Sequence, residues 1–285
     1  MTDKIELESL TDHASKLFTL PSIVFQLQEL LYEQSSTADE IARLISLDPA
    51  LTARILRLAN SSFYSFPAQI DTVSRAVTIV GTNEIYNLAL ATAAVSTFRG
   101  VRSDVINMSN FWKHSVYTGL VAKNLLNQSG TRNSEYLFVA GLLNNIGLLV
   151  IVEQHPELAS QIDSLPHHLP SWEREKEVLG FTYADCSYQL LADWNLPLNI
   201  IRPVLHQHQP MSTEQNYQGS SACIHIGDRA ASSVVYPGEF DYKESINPIA
   251  WDLIELDQEN LSVAMEYAEE NVMQILGILS PESIA

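Results

Sequence analysis

Cysteine is nearly absent from this chain: of 285 residues only Cys186 and Cys223 carry a thiol, far apart and outside any C-x-x-C pair. Neither a disulfide framework nor a zinc knuckle is indicated, and a reducing compartment is the simplest setting. Basic residues are also scarce, 16 Lys and Arg against 34 Asp and Glu, which leaves a formal net charge of −18. No Lys or Arg follows Lys243, whereas nine acids fall between Glu244 and Glu282. Binding to nucleic acid depends on clustered Lys and Arg that displace counterions from phosphates, so this balance argues against a nucleic-acid partner and suits a basic protein surface better. The polar N-terminus, Met1 to Lys16, lacks a secretory or transit signature. The longest apolar stretch, Ile146 to Val152, falls short of the roughly 20 residues that cross a bilayer. No membrane association and a cytoplasmic location are the expectations.

Glycine is infrequent, with 11 in all, and the hairpin dipeptides Asn-Gly and Asp-Gly do not occur. What is present instead is apolar spacing of three and four residues along most of the chain, the signature of α-helix. Leu20-Pro21 opens a helix bearing Ile23, Phe25, Leu27, Leu30 and Leu31. Thr37 and Glu40 have the spacing of a capping box, in which hydroxyl and carboxylate satisfy each other's free backbone N–H groups. Asp48-Pro49 starts the next helix with an N-cap carboxylate and a proline at the first turn. Asp71 is expected to cap a short helix that Gly81 ends in left-handed conformation, with Thr82 capping its successor. Further helices are expected at 110–128, 133–153, 156–163, 171–179, 182–194, 198–207, 219–234 and 259–277. The last of these, with Leu261, Met265, Ile275 and Leu276, is expected to pack on the second half of the chain. Phe63, Tyr64 and Phe66, in the loop from Asn60 to Pro67, read as packing residues between two subdomains. Trp112 and Trp194 read as core, and His155, His167 and His168 as surface.

Several runs of residues resemble the HDOD family, a degenerate branch of the HD-domain metal-dependent phosphohydrolase superfamily. They include Ile45-Ser46-Leu47-Asp48-Pro49-Ala50-Leu51-Thr52, Ile55 to Ser61, Ile70 to Ala76 and Val80-Gly81 in the first half. The second half adds Trp112-Lys113-His114-Ser115, Ala140-Gly141-Leu142-Leu143, Leu179-Gly180 and Trp194-Asn195-Leu196-Pro197, so that about residues 15 to 230 are covered. The resemblance implies an all-α fold of two packed helical subdomains, the second an HD-domain-like helical bundle. The boundaries expected are an N-terminal helical subdomain at 15–100, an HD-like helical subdomain at 105–235, and an acidic C-terminal helical extension at 236–285. It also implies a bacterial, cytoplasmic protein of signal transduction.

An HD centre holds a divalent metal with a histidine, an adjacent His-Asp pair and a later aspartate, and the metal activates water for attack on phosphorus. By the resemblance, the first histidine is His114 and the last aspartate Asp228, but the adjacent pair falls on Asn144-Asn145. An amide oxygen is a weaker ligand than a carboxylate, and asparagine offers no imidazole lone pair, so two ligands of four are degraded and no metal cofactor is expected. Auxiliary positions are altered too: Tyr183 stands where the family commonly has histidine, and the family's paired histidines align with Gln207-His208, with His206 beside them. His225, three residues before Asp228, could share its helical face and with His114 offers the best remaining case for a divalent metal. A structural hydrogen bond between His114 and Asp228 is the simpler expectation. Together His114, Asn144, Asn145, Tyr183, His208 and Asp228 outline a ligand pocket.

Three functions follow. The leading one is a non-catalytic module of signal transduction with a protein partner. The second is a metal-dependent phosphohydrolase acting on a nucleotide or phosphate ester. The third is a nucleotide sensor without turnover, with a cyclic dinucleotide as one ligand, for which Lys113, Lys123 and Arg229 are the nearby cations in sequence.

Overall fold

The computed structural model describes residues 5–32, 37–64, 66, 69–101, 104–131, 134–166, 168–238 and 240–283; Pro67, Arg132, Asn133 and His167 lie outside them. The protein is all-α, and no strand occurs among the described residues. Two compact units emerge. One joins residues up to Thr19 with Gly100–Glu270, and the other joins Leu20–Arg99 with the chain from Asn271 on.

The smaller unit contains α2 (Ser22–Tyr32), α3 (Ala38–Ser46), α4 (Pro49–Ala59), α5 (Val73–Val80) and α6 (Thr82–Thr97). Its caps follow the local chemistry. Thr37 Oγ1 accepts from Glu40 N–H while Glu40 accepts from Thr37 N–H at 2.8 Å, and Asp48 accepts from Ala50 and Leu51 at 2.9 and 3.0 Å. Helix α5 is capped by Thr72, not by Asp71, because Thr72 stands three residues before the Arg75 N–H it accepts from. Asp71 pairs instead with the Arg75 guanidinium at 3.8 Å. Gly81 has φ 97° and ψ 152°, a glycine conformation but not the left-handed helical one, and it also fills the N-cap position expected of Thr82. Asn60 ends α4 and closes the following loop: its amide donates to Ile70 O at 2.7 Å and accepts from Ile70 N–H at 2.8 Å. Within that loop Tyr64 packs edge-on to Phe63 and stacks on Phe66.

The larger unit holds α1 (Leu7–Leu17), α7 (Met108–Gln128), α8 (Glu135–Leu142), α9 (Ile146–Gln154), α10 (Pro156–Asp163), α11 (Ser171–Leu179), α12 (Tyr183–Asp193), α13 (Leu198–Leu205), α14 (Gln215–Val235) and α15 (Pro248–Ile254). Helix α16 (Gln258–Leu279) contributes residues to both units, dividing after Glu270. Its buried Leu261, Ala264 and Ala268 serve the larger unit, and its buried Val272, Ile275, Leu276 and Leu279 belong to the smaller. Region 236–285 is thus shared between the units, and only the part of α16 up to Glu270 groups with the second half of the chain.

Close backbone approach sets the centre of the larger unit. A Cβ on Gly141 of α8 would lie 2.5 Å from Gly119 Cα of α7, and one on Gly227 of α14 would lie 2.8 Å from Thr118 O of α7. Only glycine permits such crossings, which bring α7, α8 and α14 into near contact of main chains. Gly147 does the same between α9 and α12, where an added Cβ would meet Tyr183 O. Trp112 and Trp194 are buried, and Trp194 Nε1 donates to Phe18 O at 2.9 Å.

The expected single helix over 133–153 is broken. Helix α8 stops at Leu142 and α9 starts at Ile146, so Asn144 and Asn145 stand in the turn between them. Helices α1 and α15 were not foreseen from the sequence.

Candidate functional site

Helix α14 presents Asp228 and Ser232 one turn apart on the same face, and α7 presents His114 toward them. His114 Nε2 lies 2.9 Å from Ser232 Oγ and 3.6 Å from Asp228 Oδ1. The hydrogen-bond partner of His114 is therefore Ser232; the expected bond to Asp228 is only an ion-pair distance. Burial lowers the His114 pKa, with the nearby Asp228 opposing, and the ring is neutral at physiological pH.

The turn between α8 and α9 delivers two amides to the same carboxylate. Asn144 Nδ2 donates to Asp228 Oδ1 at 2.9 Å and to Gln207 Oε1 at 2.8 Å, using both of its protons. Asn145 Nδ2 donates to Asp228 Oδ1 at 3.1 Å. Asparagine at a helix N-cap ordinarily turns its side chain onto its own helix. Asn145 holds the N-cap position of α9 without doing so, since its side chain is spent on Asp228. The orientation of these amides has a physical cause: an Oδ1 aimed at a carboxylate would set two acceptors against each other. Gln207 completes the arrangement by donating to Asn144 O at 3.1 Å. Asn144 and Gln207 are fully buried, and Asn144 Oδ1 has no hydrogen-bond partner.

His225 does not join this group. Its Nδ1 lies 2.7 Å from Gln207 O and its Nε2 accepts from Asn247 N–H at 2.9 Å. A carbonyl can only accept and a backbone N–H can only donate, so the ring is the neutral Nδ1–H tautomer with both nitrogens engaged. Burial and the neighbouring Arg229 push its pKa down to about 3. The combination of His225 with His114 and Asp228 as ligands is thereby corrected. Arg229 is likewise occupied: it donates to His225 O at 3.1 Å and Ser245 O at 3.3 Å, and its guanidinium lies 4.4 Å over the Trp172 ring.

A cavity of about 460 Å³ opens beside Asp228, within the larger unit. His114, Asn145, Tyr183, His208 and Asp228 line it, whereas Asn144 lies behind Asp228 and does not. The sequence did not signal Arg174 and Glu175 of α11, Ser232, or the rings of Phe111, Tyr236, Phe240 and Tyr242, which complete much of the wall. Their positions depend on how distant segments fold together, and none belongs to a motif. Glu175 accepts from Tyr183 N–H at 2.7 Å, and burial pushes its carboxyl up to about 8, so that it is largely protonated near neutrality. His208 stacks on Trp172 with ring centres 4.9 Å apart, has no partner at Nδ1, and is kept neutral by burial. Lys113 and Lys123 are not part of the wall.

The sequence profile of the HDOD domain matches residues 17–210. The chain belongs to the HDOD domain family. This HDOD chain shares its fold with an HDOD domain protein of unknown function from Geobacter sulfurreducens, at 22% identity over 95% of this chain and 96% of that one, TM-score 0.76. It also shares it with a candidate phosphohydrolase from Shewanella amazonensis SB2B, at 23% identity over 97% and 99%, TM-score 0.76. An uncharacterised protein of Treponema pallidum (strain Nichols) is 24% identical over 213 residues, 74% of this chain and 41% of that protein. The HDOD chain thus spans less than half the length of this curated relative.

The resemblance to HD-domain enzymes implies a divalent cation, and the donor set here does not fit one. A cation needs lone pairs converging on it, usually from three or four protein ligands. Around Asp228 two N–H dipoles converge instead, and among the described residues no group of three His, Cys, Asp or Glu side chains has metal-binding geometry.

Proposed function

We propose that this HDOD chain is a non-catalytic module of bacterial, cytoplasmic signal transduction that works through a protein partner. On this reading the metal site of the HD superfamily has become a hydrogen-bonded core. The carrying observation is that Asn144 and Asn145 both donate to Asp228 Oδ1. These amide protons, together with the Arg229 guanidinium 3.8 Å from Asp228 Oδ2, supply the positive potential that a metal would otherwise supply to that carboxylate. A cation could enter only if both amides turned over, and for Asn144 that would break the bond to Gln207 Oε1. The chemistry of metal-activated water therefore has no support from these side chains. The acid-rich stretch after Lys243 favours a partner with a basic face and disfavours nucleic acid.

The test is elemental analysis of the purified protein together with a phosphodiesterase assay on bis(p-nitrophenyl) phosphate with added Mn²⁺ or Mg²⁺. Substoichiometric metal and no turnover above the uncatalysed rate are expected. Bound metal near one equivalent, with turnover abolished by His114→Ala or Asp228→Ala, would replace this reading with that of a metal-dependent phosphohydrolase.

A second reading, ligand sensing without turnover, is favoured by the cavity of about 460 Å³, a size that suits one small molecule. A cyclic dinucleotide is one ligand to try by calorimetry. Heat of binding without hydrolysis would support sensing, and its absence would remove that ligand.

A further inference from the structure

Arg174 is the side chain in this cavity that its surroundings do not explain. It is 7% exposed and lines the wall beside Asp228. Its Nη1 donates to Ile162 O at 3.2 Å, while its Nε has no acceptor. Among the described residues no carboxylate comes within ion-pair distance, 4.0 Å, of its guanidinium. A guanidinium withdrawn from water without a counter-charge is unfavourable, and proteins rarely keep one without use. Three acids share the cavity wall with it, Asp163, Glu175 and Asp228; none forms an ion pair with it, and Glu175 is engaged with Tyr183 N–H and Asp228 with the amides of Asn144 and Asn145.

The rest of the wall says what kind of molecule would meet this charge. Phe111, Tyr183, Tyr236, Phe240 and Tyr242 offer flat apolar surface, and His208 Nδ1 is a further polar atom without a partner. A single guanidinium without an ion-pair partner, with the carboxylates of Asp163 and Asp228 also on the wall, suits one anionic group and opposes a polyanion. We propose that the cavity is a binding site for a small flat organic anion, bearing one carboxylate or phosphate, with Arg174 as its charge partner. This rests on the sensing reading above and gives it a ligand class.

The experiment measures binding by calorimetry and by thermal shift, in EDTA, for AMP, GMP and 4-hydroxyphenylacetate. Each is compared with its uncharged counterpart: adenosine, guanosine and 4-hydroxyphenylethanol. At least one anion is expected to bind and raise the melting temperature while its counterpart does not; which one responds tells a phosphate ligand from a carboxylate. Arg174→Gln should weaken that anion about tenfold or more, as loss of a charge-assisted bond does, and Arg174→Lys should weaken it less. The proposal fails if no anion outperforms its counterpart on the natural protein, or if Arg174→Gln binds the anion equally well. Should Arg174→Gln not fold, the anion-versus-neutral comparison on the natural protein decides alone. Because the medium is metal-free, hydrolysis with added metal would sink the non-catalytic reading and leave this result standing. Equal binding of anions and neutrals would sink the anion site and leave the non-catalytic reading untouched.

Discussion

Asn144 has both amide protons committed, to Gln207 and to Asp228, and no exposure to water. Asn144→Asp would keep the shape, remove both donors and set a second carboxyl against Asp228. Two carboxylates at such distance cannot both ionise, so the folded-state pKa of the new group is raised above its unfolded value. A raised acid contributes its stability below the unfolded pKa and loses it as pH rises. The variant should be less stable than the natural protein by about 3 kcal/mol or more near pH 7.5, with most of the deficit recovered near pH 4.5. Urea unfolding of both proteins at the two pH values checks this, and an equal deficit at both would show that the Asp228 network is not what Asn144 serves. His225 predicts the opposite slope. Its pKa falls to about 3 in the fold, so below its ordinary value the unfolded chain binds a proton that the folded one refuses. Stability from His225 is complete above about pH 6.5 and is lost toward pH 3, at up to about 1.4 kcal/mol per pH unit. The natural protein should therefore lose stability faster than His225→Asn on acidification through that window. The comparison with the variant is needed because Glu175, pushed up to about 8, contributes a stability that declines as pH rises from its unfolded value. Parallel curves for the two proteins would contradict the tautomer assigned to His225.

Helix starts were legible for α3 and α4, whose side-chain caps lie in plain local motifs, whereas the cap of α5 falls on Thr72 and not Asp71, and α15, capped by Asn247, was missed. Thr37 with Glu40, and Asp48 with Pro49, act over three residues and need no tertiary context. The break at Leu143 to Asn145 was not legible, because no proline or glycine marks it. What stops the helix is the pull of Asn144 and Asn145 toward Asp228 and Gln207, residues far along the chain. The same holds for the site: His114, Asn144, Asn145 and Asp228 could be found through motifs, whereas Gln207's role, Ser232 and Arg174 could not. Gln207 and Ser232 are neutral types, Arg174 stands in no motif, and long separations leave no pattern in a single sequence. The glycines at the helix crossings carry a prediction at this scale. Gly141→Ala puts a Cβ 2.5 Å from Gly119 Cα, a backbone atom that cannot swing aside, so α7 and α8 must separate. A loss of about 3 kcal/mol is expected from such overpacking. Gly219→Ala in α14 meets nothing nearer than 3.7 Å and should be neutral or stabilising by up to about 1 kcal/mol. Thermal or urea unfolding of the pair checks the contrast; a mild Gly141→Ala would mean that the helices are not held at main-chain contact.

On the scale of the whole molecule, the all-α architecture follows from apolar spacing and sparse glycine, but the grouping of the chain into units does not. Helix α16 shows why: its apolar positions keep one helical period throughout, and only the folded contacts reveal that Leu261 to Ala268 and Val272 to Leu279 are buried in different units. Charge, by contrast, can be read directly. A net charge of −18, with nine acids and no base from Glu244 to Glu282, makes self-repulsion a cost of folding that salt screens. The urea midpoint should rise between about 20 mM and about 300 mM NaCl, corresponding to a gain on the order of 1 kcal/mol. Glu266 and Glu270 sharpen the expectation, because both are exposed on α16 and stand one turn apart, where like charges repel. Glu266→Gln with Glu270→Gln should raise stability at low salt by about 0.3–0.5 kcal/mol and shrink the salt dependence, the two proteins converging at high salt. If the midpoint falls with salt, or if the double variant gains equally at both ionic strengths, repulsion among these acids is not what limits the fold.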